Sequence, residues 1–338
     1  MELEIVIGLL YNFYNISMYG FQIPVQCRFW VGLDCKTGMT SMNIKNNGWI
    51  KFLLGFVMVM AILSGVVAFM PGYIATYGAT GNEVSAIYPG DEILTRPVIV
   101  WTHGWSISAS PEKVWPWIAQ IGQSRGGFYS YTFIENLISR DGSYQNAMQV
   151  LEQYQDPKPG IFIIKDMLPI KDVKKGEYLL AAVDDFFDMG WTWGWYLRPE
   201  GINSSRLIIR MKIQVDGEQA NPVMFWMLNA GGFVMEKAML RGISDRAEGR
   251  PFPAPNEIPE LIIWVGTLVV GLASALQVIR QKKWFFPLML GLTSLASLLV
   301  FTFVQPNSIW RILILILLIL AYWGCVKWDK NPEEREQK

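Results

Sequence analysis

The stretch ASPEKVWPWIAQIGQSRGGFYSYTFIENL, residues 109–137, sets two tryptophans and two tyrosines around an arginine that precedes a glycine pair. Ser110 suits a helix N-cap, Pro111 the first helical position and Glu112 the first turn, so a helix starts here. Pro116 falls early in it, where a kink is expected, and Gly122 or a neighbour ends it. After the Ser124–Gly127 break, residues 129–139 read as a second short helix. GQSRGG has neither the glycine spacing nor the terminal Lys-Ser/Thr of a phosphate loop, and it follows a helix where such a loop follows a strand.

Working outward, residues 96–109 alternate. Ile99, Trp101, His103, Trp105 and Ile107 point one way, and Val100, Thr102, Gly104, Ser106 and Ser108 the other, as in a half-buried strand. Downstream, PGIFIIKDM (159–167), GEYLLAAVDD (176–185), WTWGWYLRPEG (191–201) and SSRLIIRMKIQVDG (204–217) read as four strands, with PEG and VDG as turns. Asn221 and Pro222 then open a helix to Glu248. In it Met224, Leu228, Gly231, Met235, Met239 and Gly242 recur at spacings of three and four, as one apolar stripe.

Further out, the chain turns apolar. Charged residues make up 17% of the whole, below the roughly 25% of a soluble domain. Phe52–Met70 and Leu261–Ile279 are 19 residues each without charge, Trp284–Val304 is 21, and Ile312–Val326 is 15 between Arg311 and Lys327. A span needs about 20 apolar residues; the first three qualify outright, and the fourth does if its flanking cations snorkel to the interface. Four transmembrane helices are therefore expected, at 49–70, 261–279, 284–304 and 309–327. Residues 71–89 and the Pro-rich 251–260 serve as linkers and 329–338 as a charged tail. Lys45, Lys51, Arg280–Lys283 and the cations after span four fall on one side. The positive-inside rule makes that side cytoplasmic, leaving both termini inside and residues 71–260 outside the cell membrane. No span carries Asp, Glu or His in its middle, so the helices read as an anchor rather than a conduction path. Met42 opens MNIKNNGWIKFLLGF, a natural start for a signal anchor, which sets the N-terminal extension within residues 1–48 apart as an upstream segment.

Basic and acidic residues number 29 each, leaving no electrostatic footprint for nucleic acid. Cys27, Cys35 and Cys325 all lie outside the segment between the first two spans, so that segment has no disulfide and no thiolate metal site. With His103 the only histidine, zinc is excluded, and so is a Ser-His-Asp system unless Ser106 or Ser130 meets His103. No cofactor is implied. Asp184, Asp185 and Asp188 read as a solvated turn, because no calcium-loop pattern surrounds them. The sequon at Asn203 is a pattern only.

Residues 90–250 resemble the SRPBCC or START-like superfamily (polyketide cyclase/lipid transport). The resemblance rests on SASPEKVWPWIAQIGQSRGGFYSYTFIENL, WTWGWYLRPEGINSSRLIIRMK and GGFVMEKAMLRGISDRAE, and covers about half the chain. It implies an α+β helix-grip fold, a curved antiparallel sheet around the long last helix enclosing an apolar cavity. In that fold the Ser124–Gly127 turn closes one end of the cavity. Arg125 then serves either as a headgroup anchor or as a structural partner of a carbonyl or of Glu135. The cavity candidates are Trp101, His103, Trp105, Arg125, Tyr129, Trp191, Trp193, Trp195, Leu228, Met235 and Met239. His103 reads as a packed core residue or a polar ligand contact, and the tryptophans at 191, 193 and 195 as core or cavity wall. The expected function is a membrane-anchored module binding a lipid or other hydrophobic small molecule. A cyclase- or hydrolase-like enzyme using the same cavity, or a partner-docking membrane protein, is the alternative. The sequence names no protein partner.

Overall fold

The computed structural model describes residues 48–330 apart from 141, 187, 188, 216–221 and 282. The described residues belong to one compact unit, Ile44–Lys338. The N-terminal extension with Cys27 and Cys35, Asp188, the turn at Asp216, the Asn221 cap and the tail from 331 lie outside the described residues.

The fold is mixed α+β, with one six-stranded antiparallel sheet and, among the described residues, eight α-helices. Strand β1 (Ile99–Ile107) is preceded by helices α1 (Gly48–Ala75) and α2 (Gly81–Ser85) and followed by helices α3 (Pro111–Ala119) and α4 (Thr132–Ser139). Then come β2 (Phe162–Ile164), β3 (Leu168–Lys174), β4 (Tyr178–Phe186), β5 (Met189–Gly201) and β6 (Ser204–Val215), in sheet order β1-β6-β5-β4-β3-β2. Five strands were expected; the sixth, β3, reads as a loop in sequence because LPIKDVK begins with a proline at its second position and continues with charges. It is held as a strand by pairing with β4, across a register shift between Ile170 and Asp172.

Register aligns the aromatic residues in rows across the inner face. Trp101 of β1 pairs with Met211, which pairs with Trp193; His103 pairs with Ile209, which pairs with Trp195. The helix α5 (Pro222–Ala247) crosses this face. At Gly232 a Cβ would stand 2.6 Å from the Trp101 ring, so glycine there lets helix and sheet close on one another. The expected single apolar stripe on α5 is only part of what is found. Leu228 and Gly231 are exposed, whereas from Phe233 to Arg246 the helix is buried on nearly every side. The reason is two-sided packing: the sheet covers one face, and helix α1 (Gly48–Ala75) and the segment Val300–Val304 cover another.

The outer face of β1 is less open than alternation predicts, since Thr102 and Gly104 are buried. Residues 76–95, most of which fall in the linker expected at 71–89, lie across it and include the short helix α2 (Gly81–Ser85). Arg206 meets Glu83 at 2.8 Å, Arg210 and Lys212 meet Asp91 at 3.1 and 2.8 Å, and the Tyr88 ring lies 4.7 Å from that of Tyr196. Gly104 N donates to Tyr77 O (3.0 Å); a Cβ on Gly78, whose φ is +66°, would fall 2.3 Å from Gly104 O.

Four helices are long and apolar enough to cross a membrane: Ile50–Ala75 of α1, Glu257–Arg280 (α6), Phe285–Val304 (α7, Phe285–Leu299, with its π-helical continuation) and Ser308–Lys327 of α8 (Ser308–Lys330). The first continues through Pro71, beyond the expected end at residue 70, so the chain reaches the sheet still helical. Small residues bring α6 and α7 together, with Ser294 Oγ donating to Thr267 O at 2.6 Å. Arg311, expected to snorkel outward, is instead fully buried and ion-paired with Glu260 at 2.9 Å.

Candidate functional site

His103 sits at the centre of the inner face with no exposed surface. Its Nδ1 contacts the Glu236 carboxylate of α5, and its Nε2 lies 2.5 Å from Ile74 O at the end of α1. Trp193 Nε1 donates to the other Glu236 oxygen at 3.1 Å. A backbone carbonyl can only accept, so Nε2–H donates to Ile74 O and Nδ1 is taken up by the Glu236 contact. The network thus ties strand, long helix and first span at one point, and no ring nitrogen remains to act as a base. Neither serine meets the ring. Ser130 Oγ donates to Met235 O (2.9 Å), and Ser106 Oγ accepts from Arg206 (3.0 Å).

Around this network the sheet's tryptophans form a continuous stack. Ring centroids of Trp191 and Trp193 are 5.6 Å apart, those of Trp193 and Trp195 4.6 Å, and Phe128 stacks on Trp193 at 5.5 Å. Trp195 Nε1 points at Met239 Sδ (3.4 Å), and Trp105 is half-buried beside Tyr77. Burying each large ring contributes about 1.5–3 kcal/mol relative to exposure, so this stack is a major part of the core. Tyr129 is buried with its hydroxyl donating to Trp117 O (3.0 Å); burial pushes its phenol up. Arg125 donates to Ala119 O (2.9 Å) and Ile121 O (3.1 Å) and lies over the Tyr154 ring, which is the carbonyl-capping role. Glu135 is not its partner. That side chain lies near Glu257, and burial, then the Glu257 charge, push its carboxyl up to about 8. Among the described residues no three His, Cys, Asp or Glu side chains gather as a metal cluster.

A cavity of about 300 Å³ opens beside this core, at the seam between the sheet and the first span. Val66, Met70 and Ile74 of α1 form one wall, Ile99 and Trp101 of edge strand β1 a second, and Asn229 of α5 a third. The polar feature of its lining is Asn229, whose side-chain oxygen accepts from Trp101 Nε1 at 3.0 Å. Phe303, from the end of the third span, closes one side. Of the candidates named from sequence, Trp101 lines it. His103 lies directly behind Ile74, whereas Arg125 and Leu228 are not part of the wall. The sequence does not reveal this position because its walls are about 30 and 160 residues apart and the span reads only as an anchor.

Next to the cavity, Lys237 of α5 is 3% exposed. Its Nζ donates to Phe303 O (3.0 Å) and Tyr73 Oη (3.2 Å) and stands 4.1 Å from the centre of the Tyr77 ring. Burial, then the charge of Arg241, push its ammonium down to about 8. Farther along the seam Tyr131 donates to Glu260 (2.7 Å), the carboxylate that pairs with Arg311. These polar contacts between distant segments carry no local motif.

No family model matches the chain, and no curated protein matches it. Among solved structures it is similar to a conserved protein of unknown function from Enterococcus faecalis, with 16% identity over 49% of this chain and 80% of that one, and a TM-score of 0.28.

Proposed function

We propose that this chain is a membrane-anchored binding module that holds a lipid or another apolar small molecule, with the sheet domain on the extracytoplasmic side and both termini in the cytoplasm. The observation that carries it is the cavity of about 300 Å³, one of whose walls belongs to a helix apolar enough to span the bilayer. That placement gives an apolar molecule a route from the membrane without crossing water. Its volume lies at the lower end of ligand pockets, which run to about 300–1,000 Å³. The antiparallel order with β1 beside β6, and a long helix across the inner face, support a helix-grip reading of the domain. An enzyme is the weaker reading, because the one histidine has both nitrogens committed.

Ala230 lines the cavity and is buried, so Ala230→Trp fills it. Overpacking of this kind costs about 1–3 kcal/mol, leaving a folded protein with its site occluded. Native mass spectrometry of the full chain purified from membranes is expected to show lipid-mass adducts on the wild type and few on the variant. Equal adducts on both remove the cavity from consideration.

A further inference from the structure

Two cations on α5, Lys237 and Arg241, stand one helical turn apart without a counter-ion among the described residues. Lys237 is buried, and its contacts are a hydroxyl, a carbonyl and the rings of Tyr73, Tyr77 and Phe233, none of them anionic. Arg241 is half-buried and, among the described residues, makes no hydrogen bond or ion pair. It is close enough to act electrostatically on Lys237, Tyr77 and Tyr131. The neighbouring acids are already engaged: Glu236 by His103 and Trp193, Glu260 by Arg311 and Tyr131. Like charges at i and i+4 repel, and the repulsion grows where water is excluded. A buried cation such as Lys237, with a second, half-buried cation one turn away, is costly unless something brings negative charge.

The position indicates what brings it. Tyr73, which holds Lys237, adjoins Ile74 of the cavity wall, and Phe303, whose carbonyl holds the same ammonium, lines that cavity. Ala75 and Val304 end the first and third candidate spans, so the cations sit where a bilayer changes from hydrocarbon to headgroup. We infer that Lys237 and Arg241 bind the phosphate of a membrane phospholipid whose acyl chain occupies the adjoining cavity. This rests on the lipid-binding reading above and adds the headgroup chemistry to it. Arg241 supplies the planar donor fork that matches two phosphate oxygens, and Lys237 a point charge.

The test uses the delipidated full chain in detergent, with native mass spectrometry as readout. The probes are dioleoylphosphatidylglycerol, dioleoylglycerol (the same chains without phosphate) and inorganic phosphate. Wild type is expected to bind the phospholipid more tightly than the diacylglycerol. Arg241→Gln should weaken phospholipid binding about ten-fold or more, as loss of a charged hydrogen bond does, while leaving diacylglycerol binding unchanged. Arg241→Lys should restore part of it, and Lys237→Gln, if it folds, should behave like Arg241→Gln. Diacylglycerol and phospholipid bound alike, with both indifferent to Arg241→Gln, overturn the phosphate assignment and leave the lipid-binding reading standing. Binding of inorganic phosphate with no lipid adduct reassigns the seam to a free anion and overturns the phospholipid source. If wild type takes up neither lipid nor phosphate, both readings fall.

Discussion

Replacing Glu236 probes the junction of strand, helix and span. Its carboxylate is 2% exposed and receives His103 on one oxygen and Trp193 Nε1 on the other. Glu236→Leu keeps apolar bulk but leaves the histidine and indole donors facing a dry interior. Breaking a buried pair from one side costs about 3–5 kcal/mol, because the group left behind is neither solvated nor paired. At about 2–4 °C per kcal/mol for a protein of a few hundred residues, the melting temperature should fall by roughly 6–20 °C. Glu236→Gln should cost less, about 1–2 kcal/mol, because an amide accepts from Trp193 and donates to a neutral ring that still donates to Ile74 O. His103→Leu combined with Glu236→Leu should recover much of the loss, as an apolar replacement of both partners does. Thermal unfolding of the purified full chain, followed by intrinsic tryptophan fluorescence, reads all three. Equal melting temperatures for wild type and Glu236→Leu, or a double variant no better than Glu236→Leu, would refute the view that this pair clamps sheet, helix and span together.

Two further predictions follow from the outer face and the topology. Arg206, hydrogen-bonded to Glu83, holds that carboxyl down at about 2 against an ordinary 4.5, so the contact stabilises the protein above pH 4.5 and the stabilisation is lost as pH falls towards 2. Residues 76–95 should therefore become protease-sensitive over that window, and Arg206→Gln should remove the pH step by making them sensitive at neutral pH; an unchanged digestion pattern from pH 6 to 2.5 would contradict it. Ile202 is 95% exposed at the β5–β6 turn, so Ile202→Cys in a chain stripped of its native cysteines should react with a membrane-impermeant maleimide on intact cells. Reaction only after lysis would invert the topology.

The four helices long and apolar enough to span a membrane were legible because each is a local property: a long apolar run whose mean hydropathy needs no partner. The alternation of β1 and the start of α3 were legible for the same reason, since Pro111 and the Ile99–Ile107 pattern act within a few residues. Strand β3 was not, because LPIKDVK has weak intrinsic preference and becomes a strand only against β4. Nor was the strap over the outer face, which depends on Glu83 and Asp91 finding arginines and a lysine more than a hundred residues on. The candidate site divides the same way. Trp101 and His103 were visible as aromatic and ionisable positions on an inner face, but the cavity between span and sheet arises from tertiary contact alone. Lys237 carries no local motif and acquires its meaning from Tyr73, Tyr77 and Phe303.

The central claim is that the apolar ligand sits at the seam between the first span and the edge of the sheet. Photo-affinity labelling of membranes with a fatty acid carrying a diazirine in its chain, followed by peptide mapping, tests it most directly. The expected adducts fall on residues 66–75, 98–101 and 226–230, and they disappear in Ala230→Trp. Adducts confined to the lipid-facing sides of the other spans, or unchanged in that variant, would contradict it.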